Sequence, residues 1–177
     1  MDLENLRFPI GRFRLPDEVT SQQIADWIDD IESAPNQFEE AVNNLSDEQL
    51  NTAYRPNGWT LRQVVHHVAD SHMNSYIRFK WTLTESTPKI KAYDEKNWAE
   101  EPEAKNAPVE ISIQLLKSLH ARWVLVLKNL SEEDLNKEFT HPETGKNISL
   151  KTMVGLYAWH GKHHLGHITS LRNRMNW

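Results

Sequence analysis

The chain has 177 residues, a net charge of −5 at pH 7 and no cysteine. Its length predicts one domain with a proper hydrophobic core, and the lack of cysteine excludes disulfides, thiolate metal ligands and a cysteine nucleophile. The negative charge, with scattered lysines and arginines, argues against a nucleic-acid partner, and no apolar run approaches the length of about 18 residues that a membrane span needs.

Residues 1–19 are predicted to be an extended arm that its aromatic side chains dock on the rest of the molecule. Proline and glycine residues disfavour a helix in this stretch: Pro9, Gly11 and Pro16. Residues 20–177 are then expected to form a single domain. The N-terminal residues contain no apolar segment of the kind found in secretory signals, which favours a cytoplasmic location.

Apolar residues recur at helical spacing in four stretches and predict four long amphipathic helices. The first begins near residues 20–21, where hydroxyl side chains provide a good N-cap, and Pro35 should kink or break it. The second follows the capping box that opens at Thr60. The third follows Pro108, and the fourth begins near Ser149 and runs almost to the end of the sequence.

The segments between these helices are long and polar. Residues 88–107 predict a loop that is either functional or mobile, and residues 138–148 predict a loop or a weak hairpin. Short helices are expected after the caps at Ser46 and Ser131. The economical fold is an all-α four-helix bundle with long connecting loops, and such bundles place metal sites in the core between facing helices.

Four of the nine histidines fall within residues 159–167 of the fourth helix. His160 and His164 are four residues apart, which places their Cβ atoms roughly 6 Å apart on one face, a spacing that suits one metal ion. His163 and His167 repeat the spacing. At about 100° per residue, the offsets from the centre of the apolar stripe are about 40° for His164, 80° for His160, 100° for His167 and 140° for His163. His160 and His164 are therefore expected to point inward and His163 mostly toward solvent.

The second helix carries further candidates. Periodicity places His72 near the centre of its apolar stripe, with His67 about 120° away and His66 about 140° away on the other side. Phase alone thus nominates His72 as a third ligand and His67 as the next choice. The alternative is that each inward histidine is an ordinary hydrogen-bonded core residue. Several buried imidazoles each need a partner, however, and one ion satisfies them together.

These motifs together resemble the DinB/YfiT-like superfamily of metal-binding four-helix bundles, and within it the YfiT-type metal-dependent hydrolases. The resemblance runs nearly end to end and rests on Phe8-Pro9-Ile10-Gly11, Gly58-Trp59-Thr60, residues 66–80, Tyr93-Asp94-Glu95-Lys96, His120-x-Arg122-Trp123, His141-Pro142 and Trp159-His160-x-x-x-His164. One departure is Gly161-Lys162 inside the histidine repeat, where the lysine adds a charge near the site.

The resemblance implies a three-histidine site made of His67, His160 and His164, and on that ground alone His67 is preferred to His72. It also implies one divalent ion per subunit, a homodimer and a cytoplasmic location. Imidazole ligands suit Zn²⁺ or Ni²⁺. Three imidazoles leave a coordination position open, as catalytic zinc sites do. Whether His72 or His167 contributes stays open at this point.

Three functions are compatible with such a site. The first is metal-dependent hydrolysis of a small-molecule substrate, with Asp70 and His72 as candidates for groups behind the ligands or for proton shuttles; a surface position for Asp70 is the alternative. The second is a metal-dependent thiol S-transferase of the bacillithiol-transferase type, acting on electrophiles. The third is a non-enzymatic bundle with a structural metal. The sequence does not specify the substrate, and residues 88–107 are a candidate roof for the site.

Overall fold

The computed structural model describes residues 2–177. Within that range the elements occur in the order α1 (Leu3–Arg7), α2 (Ser21–Val42), α3 (Asp47–Leu50), α4 (Leu61–Thr84), α5 (Glu95–Glu100), α6 (Pro102–Asn106), α7 (Val109–Leu127), α8 (Glu132–Asn136), β1 (Glu138–Thr140), β2 (Asn147–Ser149) and α9 (Leu150–Met175). The four long helices α2, α4, α7 and α9 build the body. Helices α2 and α4 each pack against both α7 and α9. The protein is therefore an all-α four-helix bundle, as the sequence predicts.

Local capping determines where the long helices begin. Thr20, Thr60 and Ser149 are N-cap residues, and each hydroxyl accepts a hydrogen bond from the backbone N–H three residues later. Such caps satisfy N–H groups that have no partner within the helix. Helix α7 starts directly after Pro108. All four predicted helix starts are confirmed.

The chain does not break at Pro35, and the prediction of a break is wrong: α2 runs as one helix from Ser21 to Val42. Proline has no N–H, so the carbonyl of Ile31, four residues earlier, lacks its helical donor. The ring of His120 on α7 replaces that donor, because its Nδ1 donates to the Ile31 oxygen at 2.6 Å. A neighbouring helix thus satisfies the carbonyl that proline leaves free.

Two segments that were expected to be irregular contain short helices. The arm begins with α1, which the Asp2 side chain caps, so the expectation of a fully extended arm is wrong there. Residues 88–107 hold α5 and α6, not a structureless loop. The hairpin predicted for residues 138–148 is present as the antiparallel pair β1–β2.

A layer of histidines separates two halves of the core. One half contains Ile28, Trp123 and Val154, and the other contains Phe38, Val65 and Ile168. Along α4, α7 and α9, the residues between these halves include His72, His120 and His160. The fold therefore brings imidazoles from three helices to the middle of the bundle. In residues 2–177, no helix combines the length and the apolar character that crossing a membrane requires.

Candidate metal centre

Three histidines from two adjacent helices meet at the wall of a cavity. His67 lies on α4, His160 and His164 lie on α9, and one ring nitrogen from each lies within 4.8 Å of the others. His67 and His164 are buried, and His160 is partly exposed. The cavity beside them has a volume of about 590 Å³ and opens to solvent. The structure thus brings together the three residues that the resemblance implied as ligands.

A chain of hydrogen bonds behind His160 determines which of its nitrogens is free. The Ile31 carbonyl can only accept, so His120 Nδ1 carries the proton of that 2.6 Å bond. In a neutral ring, His120 Nε2 is then an acceptor, and His72 Nδ1 donates to it at 2.8 Å. The same logic makes His160 Nδ1 the donor to His72 Nε2 at 3.1 Å. His160 Nε2 is left as a bare lone pair, the form that a metal ion binds.

Burial keeps these rings neutral. It is the largest cause that lowers the pKa of His67 to about 4, and the neighbouring His163 adds to the effect. Burial likewise holds the pKa values of His160 and His164 well below their usual range. Neutral imidazole is the ligand form, so near pH 7 the three rings are ready to coordinate without first losing a proton.

A second group of three histidines overlaps the first. His163, His164 and His167 lie on α9, and one ring nitrogen from each again lies within 4.8 Å of the others. The prediction that His163 faces solvent is wrong, since it is 7% exposed. Its ring stacks on Trp159, with a centroid distance of 4.4 Å, and lies 5.7 Å from Phe8 of the arm. The arm therefore covers a face of α9 that the bundle leaves open.

Spacing alone does not distinguish the two groups. Metal–nitrogen bonds of about 2.0–2.1 Å in tetrahedral arrangement hold imidazole centroids about 5 Å apart. In the His67, His160 and His164 group the centroids are 5.4, 4.8 and 4.5 Å apart. In the His163, His164 and His167 group they are 5.0, 4.4 and 5.3 Å apart. Any preference must therefore come from the surroundings of the rings.

The two sequence candidates outside the ligand set have different surroundings. His72 is completely buried and forms the middle link of the chain from Ile31 to His160. Asp70 does not line the 590 Å³ cavity. Burial, with a smaller contribution from Glu103, raises its pKa to about 6. His72 therefore supports the site from behind, whereas Asp70 makes no side-chain hydrogen bond to His67, His160 or His164 within residues 2–177 and does not border their cavity.

The lysine inside the histidine repeat is directed away from the rings. Lys162 is exposed and forms an ion pair with Asp30 of α2, with a distance of 2.6 Å between the charged atoms. Its charge is therefore balanced on the bundle surface, outside the wall of the 590 Å³ cavity.

The other walls of the cavity were not assigned from sequence. Trp59 packs on His67 with a centroid distance of 4.6 Å, and Tyr54 stacks on His167 at 3.9 Å. Four residues of α5 also line the cavity: Glu95, Lys96, Asn97 and Glu100. The Glu100 carboxylate forms an ion pair with Lys105 at 2.6 Å, whereas Glu95 has no ion-pair partner among residues 2–177. Part of the predicted roof, residues 88–107, thus does border the site. The motifs around Trp59 and Glu95 were part of the resemblance, but only the fold gives them a place.

The family model described as "DinB superfamily" matches residues 30–168. Proteins named "Putative metal-dependent hydrolase" from Bacillus cereus (strain ATCC 14579) and from Bacillus thuringiensis subsp. konkukian (strain 97-27) are each 55% identical over 175 residues, covering 99% of this chain and 100% of the relative.

Solved structures give the same picture. YfiT from Bacillus subtilis, reported as "a probable metal-dependent hydrolase with an unusual four-helix bundle topology", superposes with a TM-score of 0.95 at 47% identity, covering 98% of this chain and 99% of that one. A mycothiol-dependent maleylpyruvate isomerase superposes with a TM-score of 0.54 at 15% identity, covering 80% of this chain and 59% of that one. The second likeness concerns the fold alone.

Proposed function

The chain belongs to the DinB superfamily, and we propose that it is a metal-dependent hydrolase whose divalent ion is held by His67, His160 and His164. One observation carries the proposal: three ring nitrogens from two helices lie within 4.8 Å of one another at the wall of an open cavity. The names of the 55% identical relatives support the same class of function.

The residues present fit a divalent transition metal. All the donors are neutral imidazoles, which suit Zn²⁺ or Ni²⁺. Among residues 2–177, His164 Nδ1 is buried without a hydrogen-bond partner, a cost that coordination through this nitrogen would remove. When bound at such a site, an ion supplies Lewis acidity, which acidifies water and polarises a substrate oxygen.

The chain itself supplies orientation and a base. The hydrogen bonds from Ile31 through His120 and His72 hold the His160 ring and present its Nε2 lone pair. Glu95 lines the same cavity as His160, and a carboxylate there can accept the proton of an attacking water at one of its Oε atoms. We therefore assign Glu95 as the general base.

The thiol S-transferase alternative differs from hydrolysis in whether the reaction uses Glu95 as a base. A low-molecular-weight thiol is activated as a thiolate and needs no carboxylate base once the proton has been lost. Hydrolysis gains from a carboxylate near the ion that takes the proton of the attacking water. Glu95 borders the same cavity as His160, which favours hydrolysis, and a structural role for the metal gives no reason for an open cavity beside the ligands.

The test uses the full chain, freed of metal with a chelator and then reloaded with Zn²⁺ or Ni²⁺. p-Nitrophenyl acetate and p-nitrophenyl phosphate serve as probes of hydrolysis, and a thiol with an electrophile serves as the probe of transfer. The proposal predicts metal-dependent hydrolysis that Glu95→Gln reduces by about 100-fold or more without loss of bound metal. Glu101→Gln, which changes a neighbouring carboxylate outside the cavity, should leave the rate unchanged.

Two results would contradict the proposal. One is full metal occupancy with no hydrolysis above the metal-free rate but with accelerated thiol conjugation, which would establish the transferase. The other is metal occupancy with neither reaction and with four protein ligands on the ion, which would establish a structural metal.

The oligomeric state and the compartment are further parts of the proposal. The resemblance to the superfamily implies a cytoplasmic homodimer with one ion in each subunit. Sedimentation equilibrium of the metal-loaded chain should give twice the 20.7 kDa chain mass. A mass equal to one chain at micromolar concentration would contradict the dimer. Fractionation of the source cells should place the chain in the cytoplasm, and recovery from another fraction would contradict that location.

A further inference from the structure

A second cavity lies on the other side of His160. It has a volume of about 680 Å³ and shares His160, Glu95 and Lys96 with the cavity of the candidate metal centre. The N-terminal turn of α5 thus borders both spaces. Arg78 of α4 lines this second cavity and is only 9% exposed. A cation is therefore almost completely buried next to the proposed metal site.

Arg78 lacks the partner that a buried cation normally has. Among residues 2–177, no carboxylate oxygen lies within 4 Å of its guanidinium. Its one hydrogen bond is a long one, from Nη2 to the Lys91 carbonyl at 3.4 Å, and its Nε is buried with no partner. An unpaired buried charge is strongly destabilising, so a fold that keeps one at a cavity wall indicates a ligand that pairs with it.

The carboxylates near the cavity are not placed to neutralise Arg78. Asp94 caps α5, where it accepts hydrogen bonds from the backbone N–H of Asn97 at 3.0 Å and from its side chain at 2.8 Å. Glu95 and Glu143 are exposed to solvent. Apart from the long bond of Nη2, the five N–H donors of the guanidinium thus have no protein acceptor among the described residues.

The remaining walls supply further polar groups. The Tyr157 hydroxyl donates to the Ser71 backbone carbonyl at 3.2 Å and lies 3.2 Å from the Ser71 hydroxyl, and both residues line the cavity. Burial raises the pKa of Tyr93 far above its usual range, so its phenol keeps its proton and stays a donor. His141 Nδ1 is buried without a partner. Hydroxyl and ring donors around one guanidinium are what an oxyanion requires.

We propose that this second cavity binds an oxyanion group of the substrate, a carboxylate or a phosphoryl group, with Arg78 as its counter-ion. The word substrate rests on the proposed hydrolase function; the anion site itself rests only on Arg78 and its surroundings. Because His160 borders both cavities, a small molecule anchored by its anionic end at Arg78 reaches the proposed metal with its other end. The substrates are then small anionic compounds, and neutral analogues are poor substrates.

The test measures anion binding by the full chain without metal. Inorganic phosphate and acetate are titrated separately at constant ionic strength, with chloride as the reference salt, and binding is followed by calorimetry and by the rise in Tm. We expect saturable binding of at least one of the two anions. Arg78→Met, which keeps the aliphatic stem, should weaken that binding by about 10- to 100-fold.

Stability provides a readout that a merely structural arginine would not give. Because Arg78→Met removes an unpaired buried charge, the anion-free variant should have a Tm equal to or above that of the wild type. Arg78→Lys keeps the charge but loses the planar fork, and about tenfold weaker binding is expected. Arg122→Met removes an exposed guanidinium on α7 and should leave anion binding unchanged.

Two outcomes would overturn the anion site: no saturable binding of phosphate or acetate by the wild type, or unchanged binding in Arg78→Met. Metal uptake, measured after Zn²⁺ is added to separate portions of the same preparations, separates this inference from the proposed hydrolase. Loss of anion binding with full metal occupancy in the Arg78 variants supports the inference. If the wild type binds the anion but takes up no metal, the proposed hydrolase function is contradicted and the anion site is still supported.

Discussion

Two overlapping groups of histidines share His164, yet the protein holds them in different ways. In the first group, His67 comes from α4, and His160 is fixed from behind by His72 and His120. In the second group, all three rings come from α9. There Trp159 and Tyr54 stack on His163 and His167, and His167 Nε2 donates to the Arg7 carbonyl at 3.1 Å. The first group is oriented by a hydrogen-bond chain that crosses the bundle, and the second by aromatic stacking and the arm.

This difference teaches that proximity of histidines is a weak criterion for a metal site. Both groups satisfy the spacing of an ion, and burial lowers the pKa of a ring in each of them. In each group one ring is oriented by a bond that ends at a backbone carbonyl: His160 through His72 and His120 to Ile31, and His167 directly to Arg7 of the arm. Ligand rings in metalloproteins are usually oriented in this manner. The difference that remains is that the first group joins two helices of the bundle, whereas the second lies on α9 alone and is oriented through the arm. On that ground, and because the family resemblance implies His67, His160 and His164, we expect the first group to bind the ion and the second to line the cavity.

The largest expected difference between the groups concerns the ligands themselves. His160→Asn keeps a polar atom near the Nδ1 position that faces His72 but removes Nε2. If His160 is a ligand, affinity for Zn²⁺ should fall by about 100- to 1,000-fold, the share of one ligand in a typical site. His163→Asn is the matched change in the second group and should alter affinity by less than about threefold. Competition with a chromogenic chelator measures both, and equal losses would contradict the distinction.

Acid should affect the two groups alike. Burial lowers the pKa of His67 in the first group and His163 in the second to about 4, and that of His167 to about 3, against about 6.5 in the unfolded chain. Between those values the unfolded chain binds protons that the folded chain does not. The free energy of unfolding is thus highest above pH 6.5. It falls as the pH drops toward 4, by about 3 kcal/mol for each histidine with a pKa near 4.

Urea unfolding of the metal-free chain between pH 7 and pH 4 measures this loss. Saturating Zn²⁺ should then separate the groups, because it should lower the pH of acid unfolding in His163→Asn but not in His160→Asn. A free energy of unfolding that does not change over this range would show that the rings are protonated as easily in the folded chain as in the unfolded one.

The hydrogen-bond chain provides the next test. His120→Phe fills the same space but removes the acceptor of His72 and the donor to Ile31, so the tautomer of His160 is no longer determined. Affinity for Zn²⁺ should fall by about 10- to 100-fold, as for other groups that orient ligands. His66→Phe is the matched control, since His66 also is buried and has two hydrogen-bond partners, Ser112 and Ala107, remote from the site. Equal effects of the two substitutions on affinity would mean that only stability is being measured.

The smallest expected effect distinguishes the two aromatic supports. Trp59 packs on His67, and Trp159 stacks on His163. An aromatic pair contributes about 0.5–1.5 kcal/mol, so Trp59→Leu should weaken Zn²⁺ binding by about two- to tenfold. Trp159→Leu should leave it unchanged. The reverse result would move the proposed site to the second group.

The sequence predicted the frame of the molecule well because the relevant signals are local. The caps at Thr60 and Ser149 and the apolar periodicity give the helix starts without any knowledge of the fold. The same periodicity placed His72 inward, and the ring is completely buried. It failed for His163, because a helical period reports only the face turned toward the bundle, whereas Phe8 of the arm covers this ring from outside.

The rest of the site depends on contacts that local patterns do not encode. Pro35 reads as a helix breaker, yet its missing N–H frees the Ile31 carbonyl that anchors His120. That role becomes visible only when α2 and α7 are placed side by side. The candidate roles of Glu95 and Arg78 likewise can be recognised only from the cavities that these residues border in the folded chain. A polar segment without periodicity gives no direction to its side chains.

The most direct test of the central claim is the position of the metal. Crystals of the full chain loaded with Zn²⁺ can be measured at the zinc absorption edge to give an anomalous difference map. The account predicts one peak per chain at about 2.0–2.1 Å from a ring nitrogen of each of His67, His160 and His164, with at least one position left to solvent. A peak among His163, His164 and His167 without His67, or no peak at all, would contradict it.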